Sequence, residues 1–160
     1  MKLKTLFFTL TLVGIACVFL AGGIQAGTQV ADVIPMDNPA YEKHTKGIVQ
    51  FSHKKHAADY GGTCGDCHHD DKGQPLADLK DGDDVQACIT CHKIPGEVPK
   101  DIKKEWKAKK LKKDEKNKLA RAYHAEAIHD NCIGCHKKWN KENKSKAAPT
   151  SCTKCHPKTK

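Results

Sequence analysis

Residues 64–69 read CGDCHH. Two cysteines separated by two residues and followed by a histidine form the attachment motif of c-type haem. The two thiols bond to the haem vinyl groups, and two intervening residues let one turn of chain present both sulfurs to one edge of the ring. The next histidine then falls beneath the ring, where it can bind iron. The pattern recurs as CITCH (88–92), CIGCH (132–136) and CTKCH (152–156). Of nine cysteines, only Cys17 lies outside a motif. Cys64, Cys67, Cys88, Cys91, Cys132, Cys135, Cys152 and Cys155 are therefore read as thioether positions for four haem c groups. Zinc would close tetrahedral sites with paired CxxC units and would not need a histidine after each pair. Disulfides suit an exported protein, but they too leave the four histidines unexplained.

Composition points the same way. Charged residues are 29% of the 160-residue chain, and beyond residue 27 the aromatics are Tyr41, Phe51, Tyr60, Trp106, Tyr123 and Trp139. Such a chain cannot offset its conformational entropy by burying side chains alone. Four macrocycles would supply the missing core, with the polypeptide as their wrapper.

The second histidine of CGDCHH is explained by counting ligands. Ten histidines are present. His68, His92, His136 and His156 belong to the motifs, leaving His44, His53, His56, His69, His124 and His129. Met36 is the one methionine besides Met1, so sixth ligands must come mostly from histidine. His69 follows His68 directly, so its side chain points away from the iron of His68 and towards the next one. The two residues thus join two haems through one peptide bond.

The chain starts with a basic end (Lys2, Lys4), an apolar run from Leu6 to Leu20 and small residues at Ala21, Gly22, Gly23 and Ala26. That is the layout of an export signal, cleaved after Gly23 or Ala26. The expected organisation is a signal peptide over 1–26, an N-terminal extension over 27–47 and a tetrahaem domain over 48–160, in the periplasm. An uncleaved membrane anchor over Leu6 to Ile24, just long enough to span, is the alternative.

FSHKKH (51–56) followed by CGDCHH resembles the start of the class III cytochromes c, the tetrahaem cytochrome c3-like family. The resemblance covers roughly residues 48–157. It implies a mostly α and irregular fold, a small multihaem cytochrome c with a haem-filled core and short helices and loops. It implies His53 opposite His68 on the first haem, His69 opposite His92 on the second and His56 opposite His136 on the third. The fourth iron, bound by His156, takes its other ligand from AYHAEAIHDNCIGCH (122–136). His129 is favoured there over His124, and the one not used is expected in solvent. On a helix, residues five apart lie about 140° from one another, so both cannot face one iron.

Charge divides the chain. Residues 57–92 carry eight acids and two lysines, a net of −6, whereas residues 93–160 carry twenty bases and eight acids, a net of +12. The acidic loop HDDKGQPLADLKDGDDVQ (69–86) lacks a calcium-ligand pattern and reads as solvated. Residues 101–130 read as helix, with Asp101 capping it after Pro99, Ile102 with Trp106 and Leu119 with Tyr123 on haem-facing sides, and a break near Lys113. Single helical turns are expected at the CxxCH sites, and a small strand pair near Val49–Phe51.

Two histidines on every iron leave no open position for substrate, so the expected function is electron transfer rather than an enzyme reaction. Histidine raises the potential less than methionine does, so the carrier should be a low-potential one. Its lysine-rich half should attract acidic redox proteins. The resemblance implies hydrogenase- or formate dehydrogenase-type partners, with membrane redox complexes beside them, and export argues against nucleic acid as a partner. Two rivals remain in view: a membrane-anchored tetrahaem quinol dehydrogenase subunit, and a multihaem reductase with one open haem. Filament-type stacking of subunits has no sequence signal either way.

Overall fold

The computed structural model describes residues 30–158; the expected signal peptide lies outside them. Two short strands, β1 (Ile34–Pro35) and β2 (Gln50–Phe51), pair antiparallel with Ile34 opposite Phe51. The pair thus joins the strand region expected near Val49–Phe51 to a partner from residues 27–47. The helices follow in order: α1 (His53–Ala58), α2 (Cys64–Cys67), α3 (Lys100–Ala108), α4 (Lys113–Ala120), α5 (His124–Glu142) and α6 (Cys152–Cys155). A 3₁₀ turn at Cys88–Thr90 lies between α2 and α3.

Three of the four motifs form single turns, at α2, the 3₁₀ turn and α6. In each, the histidine N–H closes the turn onto the first cysteine carbonyl, at 2.7 to 2.9 Å. At α2 the turn is further fixed by Asp66, whose carboxylate accepts from both the backbone N–H and the hydroxyl of Thr63 at 2.8 Å. The third motif departs from the expected single turn. Cys132, Cys135 and His136 lie inside the 19-residue α5, because good helix formers continue on both sides of CIGCH.

The basic stretch breaks where residues 109–112 separate α3 from α4. Lys110 takes a left-handed conformation (φ 53°). Its N–H donates to Lys107 O at 3.0 Å and the Leu111 N–H to Trp106 O at 3.1 Å, the paired bonds that satisfy helix-end carbonyls. Lys144 (φ 47°) ends α5 the same way, with Ser145 N–H on Asn140 O at 2.8 Å. Asp101 does not cap α3. The N-cap is Pro99, and Asp101 sits within the first turn, where a carboxylate favours the positive helix end. Ile102 and Trp106 are the half-buried residues of an otherwise exposed α3. Leu119 and Tyr123 do not share a helix face, because α4 ends at Ala120 and Tyr123 is the N-cap of α5.

The start of α5 is anchored on the segment after the second motif. His124 N–H donates to Ile94 O at 2.7 Å and Ala125 N–H to Gly96 O at 3.1 Å, so two donors of the first turn find partners. Glu126 accepts from Lys103 Nζ at 2.8 Å and from Val98 N–H at 3.2 Å, tying α3 to α5. Among the described residues the buried core consists of Val98, 4% exposed, and His124, 5% exposed. Side chains alone do not make an interior of the usual kind.

Candidate functional site

The histidines meet in couples. The rings of His69 and His92 have centroids 6.0 Å apart, those of His56 and His136 6.1 Å, and those of His129 and His156 6.3 Å. Van der Waals stacking would bring rings closer, and a hydrogen bond would need a different approach. A metal between two imidazoles, with metal–nitrogen bonds of about 2 Å and about 1.1 Å from nitrogen to ring centre, sets the centroids about 6 Å apart. Among the described residues His53 and His68 make no ring contact of this kind; burial first, then the charges of His53 and His69, hold His68 below the ordinary histidine value.

The other ring nitrogen is occupied in most of these couples. Nδ1–H donates to a backbone carbonyl from His56 (Ser52 O, 2.8 Å), His69 (Asp70 O, 2.7 Å), His136 (Pro149 O, 2.6 Å) and His156 (Gly47 O, 2.8 Å). His92 Nδ1 bonds Arg121 O. His129 Nδ1 lies 3.6 Å from the Glu97 carboxylate. A proton held on Nδ1 leaves Nε2 bare as a metal donor and fixes the ring's orientation. The donor set therefore fits iron in haem: paired imidazoles, five of them with Nδ1 tied to a backbone carbonyl and Nε2 left for the metal. Among the described residues no three of His, Cys, Asp or Glu converge as they would around a bare metal ion.

None of the eight motif cysteines pairs with another in a disulfide. Cys132 is pushed up to about 11 by the protein around it and by the thiols of Cys67, Cys155, Cys88 and Cys135, although its side chain stays open to solvent. The thiols that act on it come from all four motifs, so the attachment sites lie near one another. Burial also raises Cys67, Cys88 and Cys155, each with help from neighbouring thiols. Asn131 Nδ2 reaches Cys67 O at 3.1 Å, a direct tie between the first and third motifs.

The one reversal concerns His124. Expected in solvent if it is not a ligand, it is the buried polar side chain of the described chain. Its Nδ1 lies 2.8 Å from the Tyr41 hydroxyl, and burial, then His92, holds it below the ordinary histidine value. The Nδ1 acceptors and the Tyr41 contact were not anticipated. Backbone carbonyls carry no sequence signature, and Tyr41 is 83 residues from its partner.

Comparison with known proteins gives a consistent result. Residues 31–156 match the class III cytochrome c family model, which takes in most of the segment set apart as residues 27–47. The chain is 32% identical over 122 residues to a cytochrome c3 of Desulfovibrio desulfuricans, covering 75% of this chain and 88% of the relative. It is 33% identical over 132 residues to a cytochrome c3 of Maridesulfovibrio salexigens, covering 81% and 96%. No solved structure matches the chain significantly.

Proposed function

Since the chain belongs to the class III cytochrome c family, a family of multihaem c-type electron carriers, we propose that it is a low-potential periplasmic carrier holding four haem c groups, each iron between two histidines. When bound, each haem supplies a one-electron couple at its iron. The couples are His53–His68, His69–His92, His56–His136 and His129–His156, and the eight motif cysteines hold the rings covalently. The observation that carries this reading is the 6.0 to 6.3 Å ring separation in three couples, joined to the Nδ1–H bonds on their outer sides.

Two histidines would hold each iron and leave no free position for a small molecule, which would favour electron transfer over catalysis. Histidine pairs also keep the potential low relative to histidine–methionine. The adjacent residues His68 and His69 serve two irons, so the first and second couples are held in fixed relation by one peptide unit. The lysines of α3 and α4 and those after His136 make a basic face that steers acidic redox proteins to the third and fourth couples.

A visible spectrum of the dithionite-reduced protein, before and after carbon monoxide, tests the ligand set, with haem counted as the pyridine haemochrome. Four haems per chain and an unchanged spectrum are expected. A carbon monoxide shift on part of the haem would mean an open iron and would move the reductase reading forward.

A further inference from the structure

His44 and His124, the two histidines that the four couples do not use, meet around one ring. Tyr41 stacks on His44 with centroids 5.2 Å apart and planes 14° apart, while its hydroxyl lies 2.8 Å from His124 Nδ1. His44 Nε2, itself buried, sits 2.8 Å from the Asp37 carboxylate, off the direction of a hydrogen bond. Met36 N–H donates to Val49 O at 2.9 Å. Residues 36–47 are thereby tied at one end to Val49, the residue before β2, and at their middle to the first residue of α5.

The far end of this segment touches the fourth motif. Gly47 O accepts the His156 Nδ1 proton at 2.8 Å. A β-carbon at position 47 would stand 2.2 Å from Pro157 O and 2.8 Å from Pro157 Cγ. Glycine is the residue that allows this approach, and any side chain would push the carbonyl away from His156.

We propose that residues 36–47 act as a clamp that sets the ligand strength of His156, with Gly47 O holding the Nδ1 proton and the Tyr41–His124 tie holding that carbonyl in place. The proposal rests on the reading of His156 as an iron ligand. A firm acceptor on Nδ1–H makes Nε2 more basic, and a more basic ligand favours ferric iron. His56, His69, His92 and His136 take their acceptors from Ser52, Asp70, Arg121 and Pro149, all outside the clamp. Loosening the clamp should therefore move one potential out of four. Gly47 and Tyr41 are positioning residues in this scheme.

The test is a redox titration of the full haem-loaded protein, resolved haem by haem by NMR, for the parent, Gly47→Ala and Tyr41→Phe. Gly47→Ala should cost one haem about tenfold of its preference for the ferric state, an upward shift of about 59 mV for a one-electron couple. Tyr41→Phe should move the same haem in the same direction by less. Four unchanged potentials in both variants would overturn the clamp, as would an equal shift of all four. If Gly47→Ala fails to load four haems, Tyr41→Phe decides on the same criteria. Carbon monoxide binding by the parent would instead overturn the ligand reading beneath the clamp, before any variant is made.

Discussion

Removing one side chain should open one iron in four. His129 and His156 face each other at 6.3 Å between ring centroids, whereas His124, five residues earlier on the same helix, is turned to Tyr41. In His129→Ala the fourth iron keeps His156 and loses its other ligand. With four irons per chain, carbon monoxide should then titrate one site per chain and shift about a quarter of the haem absorbance, against none in the parent. Histidine is among the ligands that define the iron's properties, so the ferric form of the variant should also gain one high-spin signal per chain. His124→Ala serves as the control and should stay silent to carbon monoxide. The assay is a carbon monoxide titration of the reduced variants with haem counted in parallel. If His124→Ala opened an iron and His129→Ala did not, the couple at the fourth motif would be wrongly assigned. Opening of more than one iron in His129→Ala would show that the couples are not independent.

Three further outcomes are expected. Lys110 ends α3 in the left-handed region, which costs a side-chain-bearing residue about 1–2 kcal/mol, while glycine loses about 0.5–1 kcal/mol more on ordering, so Lys110→Gly should stabilise the loaded protein by about 0.5–1 kcal/mol in denaturant unfolding. His124 is held below its ordinary 6.5 by burial and then by His92. The unfolded chain takes up that proton first as pH falls, so the contribution is whole above about 6.5 and is lost on descending towards the folded value. A plot of unfolding midpoint against pH should show this fall in the parent and a flatter profile in His124→Gln. Lys104→Glu with Lys107→Glu, both on the exposed side of α3, should slow association with an acidic redox protein about tenfold or more at low salt in stopped-flow mixing, and the difference should shrink as added salt shortens the Debye length to about 8 Å and below.

The haem motifs were legible because covalent attachment needs fixed spacing in sequence. The assignment of partner histidines rests on the resemblance, which His53, His56 and His69 carry in a dense local pattern, HKKH followed by CHH. What stayed hidden depends on contacts between distant segments. Pro149 O under His136 and Gly47 O under His156 are backbone atoms, which the side-chain alphabet does not encode. A spare histidine carries no signal of burial in the sequence, but His124, the first residue of α5, is held against Ile94 and Tyr41. The break between α3 and α4 was legible only in place, since lysine in the left-handed conformation at 110 gives none of the signal that glycine would. Helix α5 ran through its motif because a CxxCH turn is itself helical, and its neighbours decide whether the helix stops.

The central claim is that four irons each sit between two histidines, and its most direct test is a spin-counted low-temperature EPR spectrum of the fully oxidised protein. Four low-spin ferric centres per chain with no high-spin component are expected. A high-spin signal approaching one per chain would overturn it, because one iron would then lack a histidine that the four proposed couples assign to it.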